Sequence, residues 1–148
     1  MYEQGAIIKF TPFYFEDGSS KDKYFVVLKL TDDGESLLAS LPTRRDNVPK
    51  KDEVKEGCVE LPGISFNCFV FAPNVEVTDC GKCFDFKTHL YGHALKNYEM
   101  KHLNSFYQVE GADYEIWGKM KKDYFEKLYE CFRTSRNVKM KFKRFLNS

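Results

Sequence analysis

The chain has 148 residues, a length that suits one domain and can bury a core without cross-links. Aromatic residues make up 16%, with 14 Phe and 9 Tyr, which excludes a disordered chain. A formal net charge of +1, from 23 basic and 22 acidic residues, excludes a generic polyanion binder; any nucleic-acid contact must come from a local patch. The most basic stretch is C-terminal: Lys139, Lys141, Lys143 and Arg144. No apolar run is long enough to span a bilayer, and MYEQGAIIKF lacks a signal-peptide pattern, so the expected compartment is the cytoplasm. Five Cys cannot all pair internally, and in a reducing cytosol they are expected as thiols or metal ligands.

Gly5 to Phe10 reads as a first strand, with Pro12 expected to end its regular part. Phe13, Tyr14 and Phe15 continue an aromatic patch, and Glu16 to Asp22 is a loop by composition. Tyr24 to Leu30 is a strand, rich in aromatic and β-branched residues. Asp32-Asp33-Gly34 supplies a tight turn, because Gly accepts positive φ and Asp tolerates it. Leu37, Leu38, Ala39 and Leu41 form the return strand. The open ends of this hairpin carry Lys21 and Lys23 on one side and Thr43, Arg44, Arg45 and Asp46 on the other. Four cations and a hydroxyl on one sheet edge make a candidate anion site, with phosphate the obvious ligand. The ordinary alternative is a solvated strand end followed by a loop.

Asn47 to Gly57 is an exposed connection broken by Pro49, and Cys58 to Leu61 a short edge strand. Ile64 to Phe71 is an apolar strand; Ala72 to Lys82 is a turn-rich link. Phe84 to Leu90 alternates, which places Asp85, Lys87 and His89 together on one strand face. A solvated outer face gives the same pattern. Gly92 to Leu103 is expected as a short helix and Asp113 to Trp117 as a last strand ended by Gly118. Asp123 to Phe132 has one apolar stripe of Tyr124, Phe125, Leu128, Tyr129 and Phe132, an amphipathic helix. Val138 to Leu146 fits either period, and a helix is favoured. The sum is an α+β domain over 1–148: a small, mostly antiparallel barrel with C-terminal helices packed on it.

The order of GAIIKF, DGSS, KYFVVL, LPTRRD, FDFKTHLYG and YEIWGKMKKDYFEKLYECF resembles the PemK/MazF-like toxins. The resemblance implies an SH3-like barrel that forms a homodimer, pairs with an antitoxin protein and cleaves single-stranded RNA without metal or other cofactor. Its catalytic Arg corresponds to Lys23, where Tyr24 replaces the proline that follows, and its hydroxyl residue to Thr43. Lys lacks the bidentate fork of Arg, which Arg44 or Arg45 could supply. In that chemistry the RNA 2′-OH is the nucleophile. Lys23 with Arg44 or Arg45 would stabilise the phosphorane, Thr43 would orient a phosphate oxygen, and His89 or Asp85 would shuttle the proton. Lys21 and Lys87 would bind backbone phosphates, and Tyr14 or Phe15 would stack a base.

Two alternatives stand beside this. One is a non-catalytic barrel that keeps the fold as an interaction module, which Lys at position 23 favours. The other is a zinc-stabilised binding domain: Cys80-Gly81-Lys82-Cys83 is a CxxC knuckle that Cys58 and Cys68 could complete. Cys131 lies beside the apolar helix stripe and is expected as core packing, and Trp117 as a core or interface residue.

Overall fold

A computed structural model describes residues 2–42 and 56–148. The expected cluster of Thr43, Arg44, Arg45 and Asp46 lies outside the described residues. The chain is α+β with antiparallel sheets. Its elements are β1 (Ala6–Tyr14), β2 (Ser20–Leu30), β3 (Glu35–Ser40), β4 (Gly57–Leu61), β5 (Phe66–Phe71), β6 (Thr88–Tyr91), β7 (Leu95–Glu99), α1 (Met100–Phe106), β8 (Tyr114–Lys119), α2 (Lys122–Thr134) and α3 (Met140–Asn147). They form two open sheets, a five-stranded one ordered β7-β3-β2-β1-β8 and a three-stranded one ordered β4-β5-β6. Neither sheet closes on itself, so the strand order describes no closed barrel among the described residues.

The β2–β3 hairpin forms as expected. Gly34 sits at φ +87°, and Val26 pairs with Ala39. β2 buries alternate residues on opposite faces of its sheet: Val26 and Leu28 join one core, Phe25 and Val27 another. Its unbroken apolar run follows from that double coverage. The first core takes residues from both sheets, from α2 through Leu128 and Phe132, and from α3 through Phe142 and Leu146. The second core lies on the opposite face of the five-stranded sheet, where Ile8, Phe10 and Phe13 meet Leu103 of α1 and Tyr107. Burying one such side chain contributes roughly 2 kcal/mol.

Several expectations change. β1 runs through Pro12 to Tyr14, with its register to β2 shifting between Phe10 and Phe13. Pro12 falls in that irregularity, where the ladder requires no N–H from it. Gly92 to Leu103 is not one helix. A 3₁₀ turn at Gly92–Ala94 leads into β7, and α1 begins only at Met100. Pairing of Leu95 with Ala39 and Lys96 with Leu38 overrides the local helical pattern. The strand expected from Phe84 begins at Thr88, because Phe84 turns in to stack on Trp117 at 5.5 Å. Phe86 is left 69% exposed. Gly118 lies inside β8 rather than ending it, under the Thr78 side chain.

The cysteines differ most from expectation. Cys58 on β4 and Cys131 on α2 form a disulfide across 73 residues. Cys58 is therefore no metal ligand, and Cys131 is a cross-link rather than a packed thiol. No helix among the described residues is long and apolar enough to cross a membrane.

Candidate binding cleft

β1 ends in Phe13 and Tyr14, with Phe15 just beyond it, and its partner strand places Lys21 opposite Phe13. On the same face of the sheet, β7 contributes Lys96 and Tyr98, and α1 with the residue after it contributes His102, Phe106 and Tyr107. Between these three walls lies a cleft of about 470 Å³, floored by Phe13 and Leu103. β1 and β7 stand two strands apart, with β2 and β3 between them. The space over those two strands is what α1 roofs only in part.

The lining is a set of mutually oriented rings. Phe13 stacks on Tyr107 with centroids 5.5 Å apart and planes 13° apart. Tyr14 lies 6.3 Å from Tyr107 at 17°. Tyr107 is held in place because its hydroxyl accepts a 2.9 Å hydrogen bond from the Tyr14 backbone N–H. Tyr98 meets Phe13 edge-on at 5.7 Å. The outer rings stay open to solvent: Tyr14 is 55% and Phe106 54% exposed. Exposed aromatics around a concave surface are a recognised mark of a binding site.

The polar groups sit on the rim. Lys96 Nζ is 2.7 Å from Glu16 Oε1 and 5.6 Å from the Tyr98 ring centre, so the cation bridges the acid and the π-face. That ion pair is solvent-exposed and holds the Glu16 carboxyl below its ordinary range, first through the hydrogen bond from Lys96. Burial pushes the Tyr98 hydroxyl up to about 12 and raises that of Tyr107. Both phenols are therefore neutral near pH 7 and available as hydrogen-bonding groups. His102, packed 4.6 Å from Phe106, places an imidazole at the cleft.

The residues expected to act together separate into two groups. Tyr14 and Phe15 line the β1 end of the cleft; Lys21, exposed and paired with Phe13, does not line it, and Lys23 lies further along β2, half-buried opposite Phe10. Asp85, Lys87 and His89 belong to the other sheet and its approach. Asp85 is exposed in the irregular segment before β6, Lys87 is half-buried, and His89 is 6% exposed within β6 opposite Val70. They do not share one strand face, since the strand covers only the last of them.

Sequence reasoning missed Tyr98, His102, Phe106 and Tyr107. Tyr98 was hidden by the expected helix, and the adjacent pair Phe106-Tyr107 was the one available signal.

Among the described residues, no group of three or more His, Cys, Asp or Glu is placed to hold a metal ion. Cys68 is buried, and desolvation pushes its thiol up to about 11, which suits packing rather than reactivity. Cys80 is exposed and Cys83 half-exposed, flanking the turn at Gly81. Comparison with protein-family models, curated proteins and solved structures finds no match in any of the three.

Proposed function

We propose that this protein binds single-stranded RNA, with the aromatic cleft as the platform on which bases stack. The observation that carries this reading is the half-exposed Tyr14 ring, lying nearly parallel to Tyr107 in a cleft whose rim carries Lys96. Stacking on a fixed ring suits any base, and a cation at the rim suits the phosphate beside it. The reading is of a binding module rather than a nuclease. Its support is the position of His89, buried in β6, and of Asp85, outside the cleft. In this reading the β1–β2–β3 meander stands where the resemblance to PemK/MazF-like toxins puts an SH3-like barrel. An antitoxin-like partner or a second copy of the chain would then cover Tyr14 and Phe106. A cytoplasmic home suits an RNA ligand, whereas the Cys58–Cys131 bridge suits an oxidising compartment.

The test is fluorescence anisotropy with a labelled twelve-nucleotide oligouridylate, followed by a denaturing gel of the same RNA. Wild-type protein is expected to bind and leave the RNA intact. Tyr14→Ala should weaken binding by about tenfold or more, from a stacking contribution of roughly 1–3 kcal/mol. Equal affinity of wild type, Tyr14→Ala and Phe106→Ala would remove the cleft from consideration. RNA fragments that disappear in Lys23→Ala and Thr43→Ala would establish the endoribonuclease instead.

A further inference from the structure

The C-terminal element carries positive charge that no acid among the described residues neutralises, although Lys141 Nζ lies 4.9 Å from the Phe142 ring centre. From Arg136 to Ser148 the sequence is RNVKMKFKRFLNS, with five cations and no Asp or Glu. α3 buries Phe142 and Leu146 against the first core, with Val138 just ahead of them. At about 100° per residue these fall on one side of the helix. Lys143, Arg144 and Lys141 spread across the other side, around Met140, which is 60% exposed. Arg136 and Lys139 extend the exposed basic surface N-terminally. Among the described residues none of the five is in a salt bridge.

α2 shows how the same chain builds a merely solvated helix. It has Asp123 in its first turn and Arg133 in its last, as the helix dipole favours. Its surface charges pair, Lys122 with Glu126 at 3.9 Å and Arg133 with Glu130 at 2.6 Å. α3 does neither. Lys139 is its N-cap, Lys141 is in its first turn, and no acid accompanies them. Cations there oppose the dipole, so helix stability does not account for them.

Position adds a second argument. β7 is one of the two edge strands of the five-stranded sheet and carries Lys96 and Tyr98 of the cleft. Both α1, which walls the cleft, and α3 contact β7, and they pack on opposite faces of that sheet. An extended polymer leaving the cleft over the β7 edge would pass to the face of the sheet on which α3 packs.

We propose that the exposed face of α3, with Arg136 and Lys139, follows the phosphate backbone of the single-stranded nucleic acid whose bases the cleft stacks. This rests on the cleft reading above. An acidic membrane surface is the other polyanion of this kind. It fits less well, because Phe142 and Leu146 are taken up by the core, leaving Met140 as the large apolar side chain of α3 that is exposed to enter a bilayer. A phosphodiester chain needs only cations spaced along a surface.

The experiment is the salt dependence of oligouridylate binding by the intact protein, for wild type, K139Q/K141Q/R144Q and Tyr14→Ala. Each phosphate contact contributes about 0.7 to the slope of log K against log salt on a single strand. The triple variant should therefore lose about 2 from that slope. Between 50 and 200 mM salt its affinity should fall about sixteenfold less than that of wild type. The charge-keeping K139R/K141R/R144K should match wild type. Should the triple variant not fold, Lys141→Gln alone is read, with an expected slope loss of about 0.7. Tyr14→Ala should lower affinity at every salt concentration and leave the slope alone. If Tyr14→Ala weakens binding while the glutamine variants keep the wild-type slope, the α3 proposal fails and the cleft reading stands. If the slope falls in the glutamine variants but Tyr14→Ala binds normally, the cleft reading fails and the basic face alone holds RNA. Wild type that ignores the RNA but binds vesicles containing phosphatidylserine overturns both.

Discussion

Glu60 on β4 and Ser135, between α2 and α3, are 75 residues apart in sequence and joined by a 2.7 Å hydrogen bond from Ser135 Oγ to Glu60 Oε1. The same carboxylate accepts from Asn67 Nδ2 at 2.9 Å, the Arg136 backbone N–H at 3.0 Å and Asn137 Nδ2 at 3.1 Å. One side chain thus fastens the three-stranded sheet to the chain between two helices. Glu60→Ala takes the acceptor from the buried Ser135 hydroxyl and the Arg136 N–H, while Asn67 and Asn137 keep only the backbone carbonyls of Val59 and Phe66 and the Cys131 sulfur. It is expected to lower stability by about 3 kcal/mol, and Glu60→Gln by less. Urea unfolding measures this, and a wild-type midpoint for Glu60→Ala would show that the cluster holds nothing together.

The Cys58–Cys131 bridge makes a countable prediction. Denatured, unreduced protein should release three thiols, Cys68, Cys80 and Cys83, and five after reduction. Closing a loop of 73 residues stabilises the fold by about 4 kcal/mol through the unfolded chain. Cys58→Ser with Cys131→Ser should show a loss of that order. Five thiols before reduction, in protein purified under oxidising conditions, would contradict the bridge.

Burial raises the hydroxyls of Tyr98 and Tyr124 from an ordinary 10 to about 12. The unfolded chain ionises these groups near pH 10 while the folded chain holds them neutral. Their contribution to stability is complete below pH 10 and is lost as pH rises from 10 through 12. Tyr98→Phe removes one such group and should flatten the decline. Unfolding midpoints at pH 8 to 11.5 test it; parallel curves for wild type and Tyr98→Phe would count against the assignment.

Gly118 is a packing requirement. A Cβ there would stand 2.9 Å from Thr78 Cγ2 and 3.2 Å from Cys80 Sγ. Gly118→Ala is expected to cost about 1–3 kcal/mol by overpacking. Thr78→Ser removes the methyl and keeps the hydroxyl that accepts from the Lys82 N–H. In the double variant it should return part of the loss, so additive effects in a double-mutant cycle would place the strain elsewhere.

What could be read from the chain was local. Asp33-Gly34 between apolar runs specified the β2–β3 hairpin, and the stripe from Tyr124 to Phe132 specified α2. That Tyr14 would stand exposed beside a polar loop was legible from the aromatic run ahead of Glu16 to Asp22. β7 was not legible: its residues become a strand only through pairing with β3, whose nearest end is 55 residues earlier in sequence.

By itself the sequence determined the hairpin, α2 and the excess of positive charge on the last thirteen residues, since turn chemistry, helical period and net charge act between neighbours. Val138 to Leu146 fitted both periods, and the structure shows it as α3, with Phe142 and Leu146 packed in the first core. Only the tertiary structure decided that the strands divide into two open sheets, that Cys58 meets Cys131, and that Tyr14 shares a cleft with Tyr98 and Phe106. Those outcomes depend on which distant segments compete successfully for the same edges and apolar faces, and nothing in a local window encodes the winner.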